Sequence, residues 1–252
     1  MRARRLHELY ESFPNDSINR LQALRNKYVG QSCFIVGNGP SLKQLDLNRL
    51  NGRYCLFFNG AFDLRSYTTP EHRIHLCEDR LVFEDHCAAL NALPGLVFFP
   101  ADFGLKLRSP HAVVTEFHRG FPERRRGWPP FVDLMAEHPV FYWGGTVAYY
   151  GLQVAKWLGF SEIYFIGMDL TYHVPKSVIR KGSVLLSTED DPNHYRSSYF
   201  GAGLRWHVPE PDRMLVAFER VAQQPELARG IYNATPGGRL NCFPRVSYES
   251  IT

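Results

Sequence analysis

The chain of 252 residues has few cysteines and no long apolar run, and both absences narrow the class of protein. Its five cysteines form no Cys-x-x-Cys pair, which argues against a disulfide framework and against a zinc site. No stretch approaches the ~18 apolar residues of a membrane-spanning helix. The first residues carry positive charge without an apolar segment, so we expect no signal peptide. A cytoplasmic location with reduced cysteines is therefore expected.

A strong excess of one charge is also absent. The formal net charge is +4, from 29 Lys and Arg against 25 Asp and Glu. Nucleic-acid-binding domains are usually more basic, so we expect no nucleic-acid partner. A small anionic ligand suits this balance, and peripheral contact with a membrane is compatible with it. We also expect a homo-oligomer, although no motif indicates its size.

Short apolar runs alternate with helical segments along much of the chain. Strands are predicted at 32–36, 54–58, 74–77, 95–99 and 162–166. Helices are predicted at 81–93 and 145–158. The alternation is typical of βαβ units, so the predicted fold is α/β and Rossmann-like, with a mainly parallel sheet and helices on both faces.

A single domain is predicted over 30–252, after a helical prefix over 1–29 in which Leu6, Leu9 and Phe13 recur at helical spacing. Two stretches interrupt the alternation. Residues 101–130 are rich in basic side chains, and residues 173–211 are polar and aromatic. Long stretches of this kind are usually functional loops or disordered. The aromatic residues of the second stretch favour an ordered lid.

A Gly-x-Gly turn follows the first predicted strand, with the sequence Gly37-Asn38-Gly39-Pro40-Ser41. Glycines allow a ligand to approach the backbone closely, and the amides of a turn can hold an anion. The full GxGxxG dinucleotide motif is absent, because Leu42 stands at its third glycine position. The turn predicts phosphate binding, and the alternative is an ordinary tight turn.

Polar residues follow three other predicted strands, namely Asn59, the pair Glu78 and Asp79, and Asp169 beside Met168. Ligands of open parallel sheets bind beyond the carboxyl ends of the strands, so we expect one crevice shared with the glycine turn. Asn59 and Asp169 could equally cap their own turns. The carboxylates could hold Mg²⁺, but they form no recognisable metal motif, so no metal site is predicted.

A second glycine-containing string, Gly144-Gly145-Thr146, opens a predicted helix. The free amides of a helix N-terminus suit a phosphate. Ordinary capping by Thr146 is the commoner explanation of such a string.

The predicted lid carries His194 in the string Asp191-Pro192-Asn193-His194-Tyr195. A histidine can exchange protons near neutral pH and can deprotonate an attacking hydroxyl group. The alternative is a histidine of the surface without a role, since the chain has 10 histidines.

Together these motifs resemble a known enzyme group. The strings FIVGNGPSL, GGTVA, EIYFIGMDL and DPNHY resemble the bacterial sialyltransferases of glycosyltransferase family 42. They are at least as similar to the broader MptE-like group, which includes motility-accessory-factor glycosyltransferases and an archaeal 6-hydroxymethylpterin diphosphokinase. The likeness extends over about residues 30–250, and the motifs are moderately specific only as a set.

The resemblance implies a GT-A variant that works without a metal. It would transfer an acidic, sialic acid-like sugar from a CMP-linked donor to a glycan acceptor with inversion. The donor-binding residues that it implies are Asn38, Gly39, Ser41 and Asn59. It also implies that His194 is the base and that a lid tyrosine donates a hydrogen bond to the departing phosphate. Tyr172 is the nearest match for that tyrosine, displaced by one position.

The chain also departs from the sialyltransferase pattern. Glu78 stands where those enzymes carry an asparagine, and a carboxylate beside a phosphate either repels it or recruits a cation. This favours an alternative, a Mg²⁺-dependent pyrophosphokinase, and a non-catalytic nucleotide- or glycan-binding protein is a third. The arginines at 124–126 or Arg205 could hold an acidic sugar, although such runs are usually solvated.

Overall fold

A computed structural model of the chain describes residues 15–109, 111–119 and 128–252. Its strands are β1 (Ser32–Val36), β2 (Tyr54–Phe58), β3 (Arg73–Leu76), β4 (Leu96–Pro100), β5 (Ala112–His118), β6 (Val140–Tyr142), β7 (Glu162–Ile166), β8 (Ile179–Lys181), β9 (Val184–Leu186), β10 (Arg205–His207) and β11 (Ile231–Asn233). Eight of them form one sheet in the order β11-β7-β1-β2-β3-β4-β5-β6, and every neighbouring pair is parallel.

The strand order reverses direction between β1 and β7. From β1 to β6 each strand adds to the same side of the sheet, and β7 then returns to the other side of β1. Such a switch point leaves a crevice at the carboxyl ends of the strands, because the two connections turn away from each other. The glycine turn follows β1, and the Gly167-Met168-Asp169 string follows β7, so both predicted motifs lie at this crevice.

Both faces of the sheet are buried, which explains why its strands are continuous apolar runs. In β1, Cys33 and Ile35 face one layer of the core, and Phe34 and Val36 face the other. The five described helices are α1 (Asn15–Ala23), α2 (Arg80–Asn91), α3 (Val147–Trp157), α4 (Pro211–Ala222) and α5 (Pro225–Ala228). Apolar residues of α1, α3 and α4 pack on the first face, and short 3-10 helices cover much of the second.

The predicted α/β fold is confirmed, and three predicted strands have the predicted bounds. The strands predicted at 74–77 and 95–99 lie one residue away, at β3 and β4. The sequence did not indicate β5, β6 or β11. The last two have three residues each, and β5 carries polar residues within the basic stretch 101–130, so the prediction of a long loop there was wrong.

The N-terminal prefix is described only in part, since residues 1–14 lie outside the described residues. Its described portion contains α1. Leu21 of this helix and Leu24, just after its end, are buried in the core of the main domain. The three arginines at 124–126 also lie outside the described residues. Within the described part of the chain, no helix is long and apolar enough to cross a membrane.

The stretch predicted as a lid contains a small antiparallel sheet, in the order β10-β9-β8. Within this sheet, Trp206 of β10 donates a hydrogen bond from Nε1 to Oγ of Ser187, which follows β9, at 3.0 Å. Arg205 ties it to α2 through an ion pair of 2.5 Å with Asp85. The stretch 173–211 therefore pairs its own strands and contacts the main domain, and its role as a lid stays a prediction.

Candidate active site

A cavity of about 840 Å³ opens at the carboxyl ends of the central strands. One wall consists of the residues that directly follow the strands, which we call the strand exits. Segment 172–208, which includes the small sheet, forms the opposite wall. Of the residues that the sequence predicted for the site, the following line the cavity: Gly37, Asn38, Gly39, Asn59, Glu78, Asp79, Gly145, Thr146, Met168, Asp169, Tyr172 and His194. Pro40, Ser41 and Gly144 lie behind this lining.

The two glycines of the turn make room for the chain that leaves β7. A Cβ atom on Gly37 would lie 2.3 Å from the carbonyl oxygen of Gly167, and one on Gly39 would lie 1.8 Å from Asp169 Oδ2. The Gly37 amide donates to the carbonyl of Ile166 at 2.8 Å, and the Gly39 amide donates to that of Gly167 at 3.0 Å. The amides of Gly37 and Gly39, which the sequence suggested as anion ligands, therefore bond to the chain at the end of β7 instead.

Ser41 is a buried support of Asp169. Its hydroxyl donates to Asp169 Oδ2 at 2.7 Å, and the side chain of Ser41 does not reach the cavity. Burial raises the pKa of Asp169, while the hydrogen bonds from Ser41 act in the opposite direction. Ser41 can thus influence a ligand through the orientation of Asp169.

Asn59 connects the exits of β2 and β3. Its Oδ1 accepts the amides of Glu78 and Asp79 at 3.2 and 3.4 Å, and its backbone has a left-handed φ of 49°. The side-chain oxygen of Asn59 therefore has the capping role that the sequence left open. Its Nδ2 has no hydrogen bond to any described residue and can serve a ligand.

Glu78 belongs to a buried ion-pair network. Arg119 Nη1 donates to Glu78 Oε2 at 2.6 Å, and Arg119 Nε donates to Asp102 Oδ2 at 2.7 Å. Burial raises the pKa of Glu78, and the charge of Arg119 opposes that effect. The guanidinium also lies over the ring of Phe117, at 5.0 Å from its centre. The sequence did not reveal this partner, which stands 41 positions further along the chain.

Asp79 is engaged by both of its oxygens. Oδ1 caps α2 by accepting the amides of Leu81 and Val82 at 2.8 and 3.3 Å. Oδ2 lies 3.2 Å from Nδ1 of His207 on β10. Burial acts to raise the pKa of Asp79, but His207 and the amides of Val82 and Leu81 together outweigh it, and the pKa is lowered.

The three carboxylates do not fit a magnesium site as they are arranged. Glu78 is paired with Arg119, Asp79 with His207, and Asp169 with the hydroxyl of Ser41. In the described part of the chain, no group of three or more His, Cys, Asp or Glu is placed to hold a metal ion. A cation would first have to displace these protein partners.

His194 forms an imidazole–carboxylate pair with Asp191. Its Nδ1 lies 2.5 Å from Asp191 Oδ2, and the carboxylate side chain is only 3% exposed. The imidazole ring stacks on Tyr199 with centres 4.4 Å apart. An ionised carboxylate accepts a hydrogen bond from Nδ1–H, and in the neutral imidazole Nε2 is then the nitrogen with a lone pair. Nε2 makes no hydrogen bond within the described residues, and the ring lines the cavity.

Hydrogen bonds also hold the loop that carries this pair. Asp191 Oδ1 accepts the amide of Asn193 at 2.8 Å. The side chain of Asn193 exchanges two hydrogen bonds with the backbone of His173, at 2.6 and 2.8 Å. The amide of Tyr195 donates to the carbonyl of Asn38 at 2.6 Å. Sequence reasoning missed the roles of Asp191 and Asn193, although the three-residue spacing in DPNHY was a usable signal.

Tyr172 and Tyr199 place two phenol groups beside His194. Burial, together with the charges of Asp169 and Asp191, raises the pKa of Tyr172 to about 12. Burial also raises the pKa of Tyr199, while the polar groups of Gly60 and Asn38 oppose that effect. Both phenols therefore keep their protons near neutral pH, and Tyr172 can donate a hydrogen bond into the cavity.

Packing and capping explain much of the Gly144-Gly145-Thr146 string. A Cβ atom on Gly144 would lie 2.4 Å from the ring of Tyr149, and Gly145 has a φ of 88°. The Thr146 hydroxyl accepts the amide of Ala148 at 3.3 Å, which is the capping that the sequence left as the alternative. Arg205, suggested as a ligand for an acidic sugar, does not line the cavity, because it pairs with α2.

Comparison with known proteins identifies the fold. No family model and no curated protein matches the chain. The structure of the MAf glycosyltransferase from Magnetospirillum magneticum AMB-1 superposes on 98% of this chain with a TM-score of 0.52 and 16% identity, and the match covers 39% of that chain. The sialyltransferase CST-II, solved with a trisaccharide acceptor and CMP, has a TM-score of 0.45 and 18% identity, over 86% of each chain.

The first comparison shows that the chain shares its fold with a glycosyltransferase of the group that its motifs resemble. The resemblance of motifs and the fold therefore agree. This chain spans 39% of the length of that neighbour, so the activity and partners of the longer protein are not thereby those of this chain.

Proposed function

We propose that the protein is a glycosyltransferase that moves an acidic, sialic acid-like sugar from a CMP-activated donor to a hydroxyl group of a glycan acceptor. The observation that carries the proposal is His194, which is paired with the buried Asp191 and lines the cavity at the strand-order switch point. Its Nε2 has no partner among the described residues. The choice of CMP and of an acidic sugar comes from the motif resemblance. No metal ion enters the proposed reaction.

In the proposed step, an acceptor oxygen attacks the anomeric carbon of the donor sugar. Nε2 of His194 takes the proton of that hydroxyl, and Asp191 stabilises the imidazolium that forms. The bond between the anomeric carbon and the phosphate oxygen breaks, and its electron pair leaves with CMP. A single direct displacement of this kind inverts the anomeric configuration.

The departing phosphate needs hydrogen-bond donors where its charge develops. Tyr172 is a protonated phenol in the cavity wall, so it can donate one such bond. The start of α3 at Gly145 and Thr146 lines the same cavity and offers backbone amides. The small sheet would keep out water, which otherwise hydrolyses the donor.

The proposal is tested by release of CMP from a CMP-sialic acid donor with a glycan acceptor present, in buffer containing EDTA. His194→Ala is expected to lower the rate by about 100-fold or more, since positioned acid–base groups contribute factors of this size. His138→Ala is the control, because His138 is exposed and does not line the cavity. Both variants are first compared with the parent protein by thermal unfolding.

A second measurement separates the alternatives. Thermal shifts are recorded with CMP, UDP, GDP and ATP, each with and without Mg²⁺, since a ligand stabilises the folded state by mass action. The proposal expects CMP to stabilise most, without Mg²⁺. Stabilisation by ATP only with Mg²⁺, and activity that survives His194→Ala, would support the pyrophosphokinase. Binding without turnover would indicate a non-catalytic protein. A homo-oligomer and a cytoplasmic location stay predictions.

A further inference from the structure

A second imidazole–carboxylate pair lies in the same cavity. His207, on strand β10 of the small sheet, places Nδ1 at 3.2 Å from Oδ2 of Asp79 at the exit of β3. Both residues line the cavity, and the side chain of His207 is 50% exposed. Its Nε2 has no hydrogen bond to any of the described residues. The imidazole therefore bridges the two walls of the cavity with one nitrogen left for a ligand.

The charges of the cavity wall indicate what the His207–Asp79 pair does. An anionic substrate would be repelled by the four carboxylates that line the cavity, Glu78, Asp79, Asp169 and Glu210, unless each were compensated. Arg213 compensates Glu210 through an ion pair of 2.7 Å. Arg119 compensates Glu78. Asp169 accepts a hydrogen bond from the Ser41 hydroxyl at 2.7 Å. The remaining carboxylate, Asp79, is compensated by His207.

His207 is suited to carry positive charge. The hydrogen bond to Asp79 raises its pKa, as do the charges of Asp79 and Glu78, while burial and Arg119 oppose the shift. Arg80 is the other charged side chain of the cavity wall next to Asp79 in the sequence. The same wall also carries Arg180, Arg213 and Glu210. The hydrogen bond and the charges of Asp79 and Glu78 outweigh burial and Arg119 at His207, so the imidazolium is stabilised.

We propose that His207 is an anion-binding residue of the cavity, which donates a hydrogen bond from Nε2 to a negatively charged oxygen of the substrate while Asp79 holds the ring from the other side. The inference rests on the proposed function, because that function supplies the anion. The oxygen belongs either to the phosphate of the nucleotide or to the carboxylate of the acidic sugar. His207 takes no proton from the acceptor, which distinguishes it from His194.

The test compares three ligands by isothermal titration calorimetry: CMP, cytidine and free N-acetylneuraminic acid. His207→Asn keeps a side-chain donor near Asp79 but removes the cation. We expect this variant to bind the recognised anion about 10-fold more weakly or worse, since hydrogen bonds to charged groups contribute this much. Weaker binding of CMP with unchanged cytidine identifies the phosphate. Weaker binding of N-acetylneuraminic acid with unchanged CMP identifies the carboxylate.

The pH dependence of the wild-type protein is a second measurement, which does not depend on the folding of a variant. His207 is charged below its raised pKa, so the affinity for the anion should fall as the pH rises through that value. The phosphate of CMP gains negative charge above pH ~6, which strengthens its attraction to a cationic residue and partly offsets this fall. The carboxylate of N-acetylneuraminic acid stays ionised over this range, so its affinity should show the fall alone. His138→Asn is the matched control and should follow the wild type.

Unchanged affinities of His207→Asn for all three ligands, or equal losses in His138→Asn, would overturn the inference. If CMP and N-acetylneuraminic acid each bind the wild type and His207→Asn equally and independently of pH, the inference fails while the proposed function stands. If the wild type takes up neither CMP nor N-acetylneuraminic acid at millimolar concentration, the proposed function fails and the inference fails with it.

Discussion

The strand exits and segment 172–208 face each other across one cavity, yet they hold their polar groups in different ways. At the strand exits, the amides of Gly37 and Gly39 bond to the chain leaving β7, and Asn59 Oδ1 bonds to the chain leaving β3. On the opposite wall, His194 and His207 each have one ring nitrogen bonded to a carboxylate and the other without a partner among the described residues.

The difference indicates that one wall shapes the cavity and that the other supplies groups for binding and catalysis. Groups at the strand exits are fixed because they satisfy one another, so they give the cavity its shape. The two imidazoles of the opposite wall are oriented by one bond each, and they keep a nitrogen for the ligand. The same residue type should therefore respond differently to mutation on the two walls.

The largest effect is expected for Arg119→Ala at the strand exits. The change leaves Glu78 buried without its cation, and it leaves Asp102 only the longer ion pair of 3.4 Å with Arg80. The side chains of Glu78 and Asp102 are 8% and 5% exposed. Breaking a buried ion pair on one side costs about 3–5 kcal/mol of unfolding free energy. Urea denaturation at neutral pH measures the loss. A loss below about 1 kcal/mol would contradict the view that this wall is fixed by internal pairing.

An intermediate effect is expected for Asp191→Asn on the opposite wall. The variant keeps the shape of the side chain but stabilises the His194 imidazolium less, so kcat should fall by about 10–100-fold, or about 1.4–2.7 kcal/mol in activation free energy. KM should change little, which a merely structural defect would not produce. Asp190→Asn, at an exposed carboxylate next in the sequence, is the control. Equal rates for the two variants would remove Asp191 from the mechanism.

The smallest effect is expected for Arg205→Ala in the small sheet. Arg205 is 38% exposed, and its partners Asp85 and Glu84 are 23% and 35% exposed, so solvent and salt screen the pairs. Such pairs contribute about 0–1 kcal/mol. Urea denaturation of this variant beside Arg119→Ala compares one residue type in two settings. A loss similar to that of Arg119→Ala would show that the small sheet is as tightly integrated as the strand exits.

Much of the fold could be read from the sequence because each central strand is buried on both faces. A run such as 32–36 must then be apolar throughout, and it stops where polar residues begin. Strands β6 and β11 escaped this reasoning, since three residues are too few to show a pattern. Strand β5 escaped it because Thr115 and Glu116 interrupt its apolar character.

For the candidate site, the sequence by itself determined which strand ends carry polar residues, and the rule for parallel sheets then predicted that they share a crevice. Only the tertiary structure decided the partners: Arg119 for Glu78, His207 for Asp79, and the chain leaving β7 for the two glycines. The physical reason is distance along the chain. Local periodicity reflects contacts within a few residues, whereas an ion pair between residues 128 positions apart depends on how strands and connections are assembled.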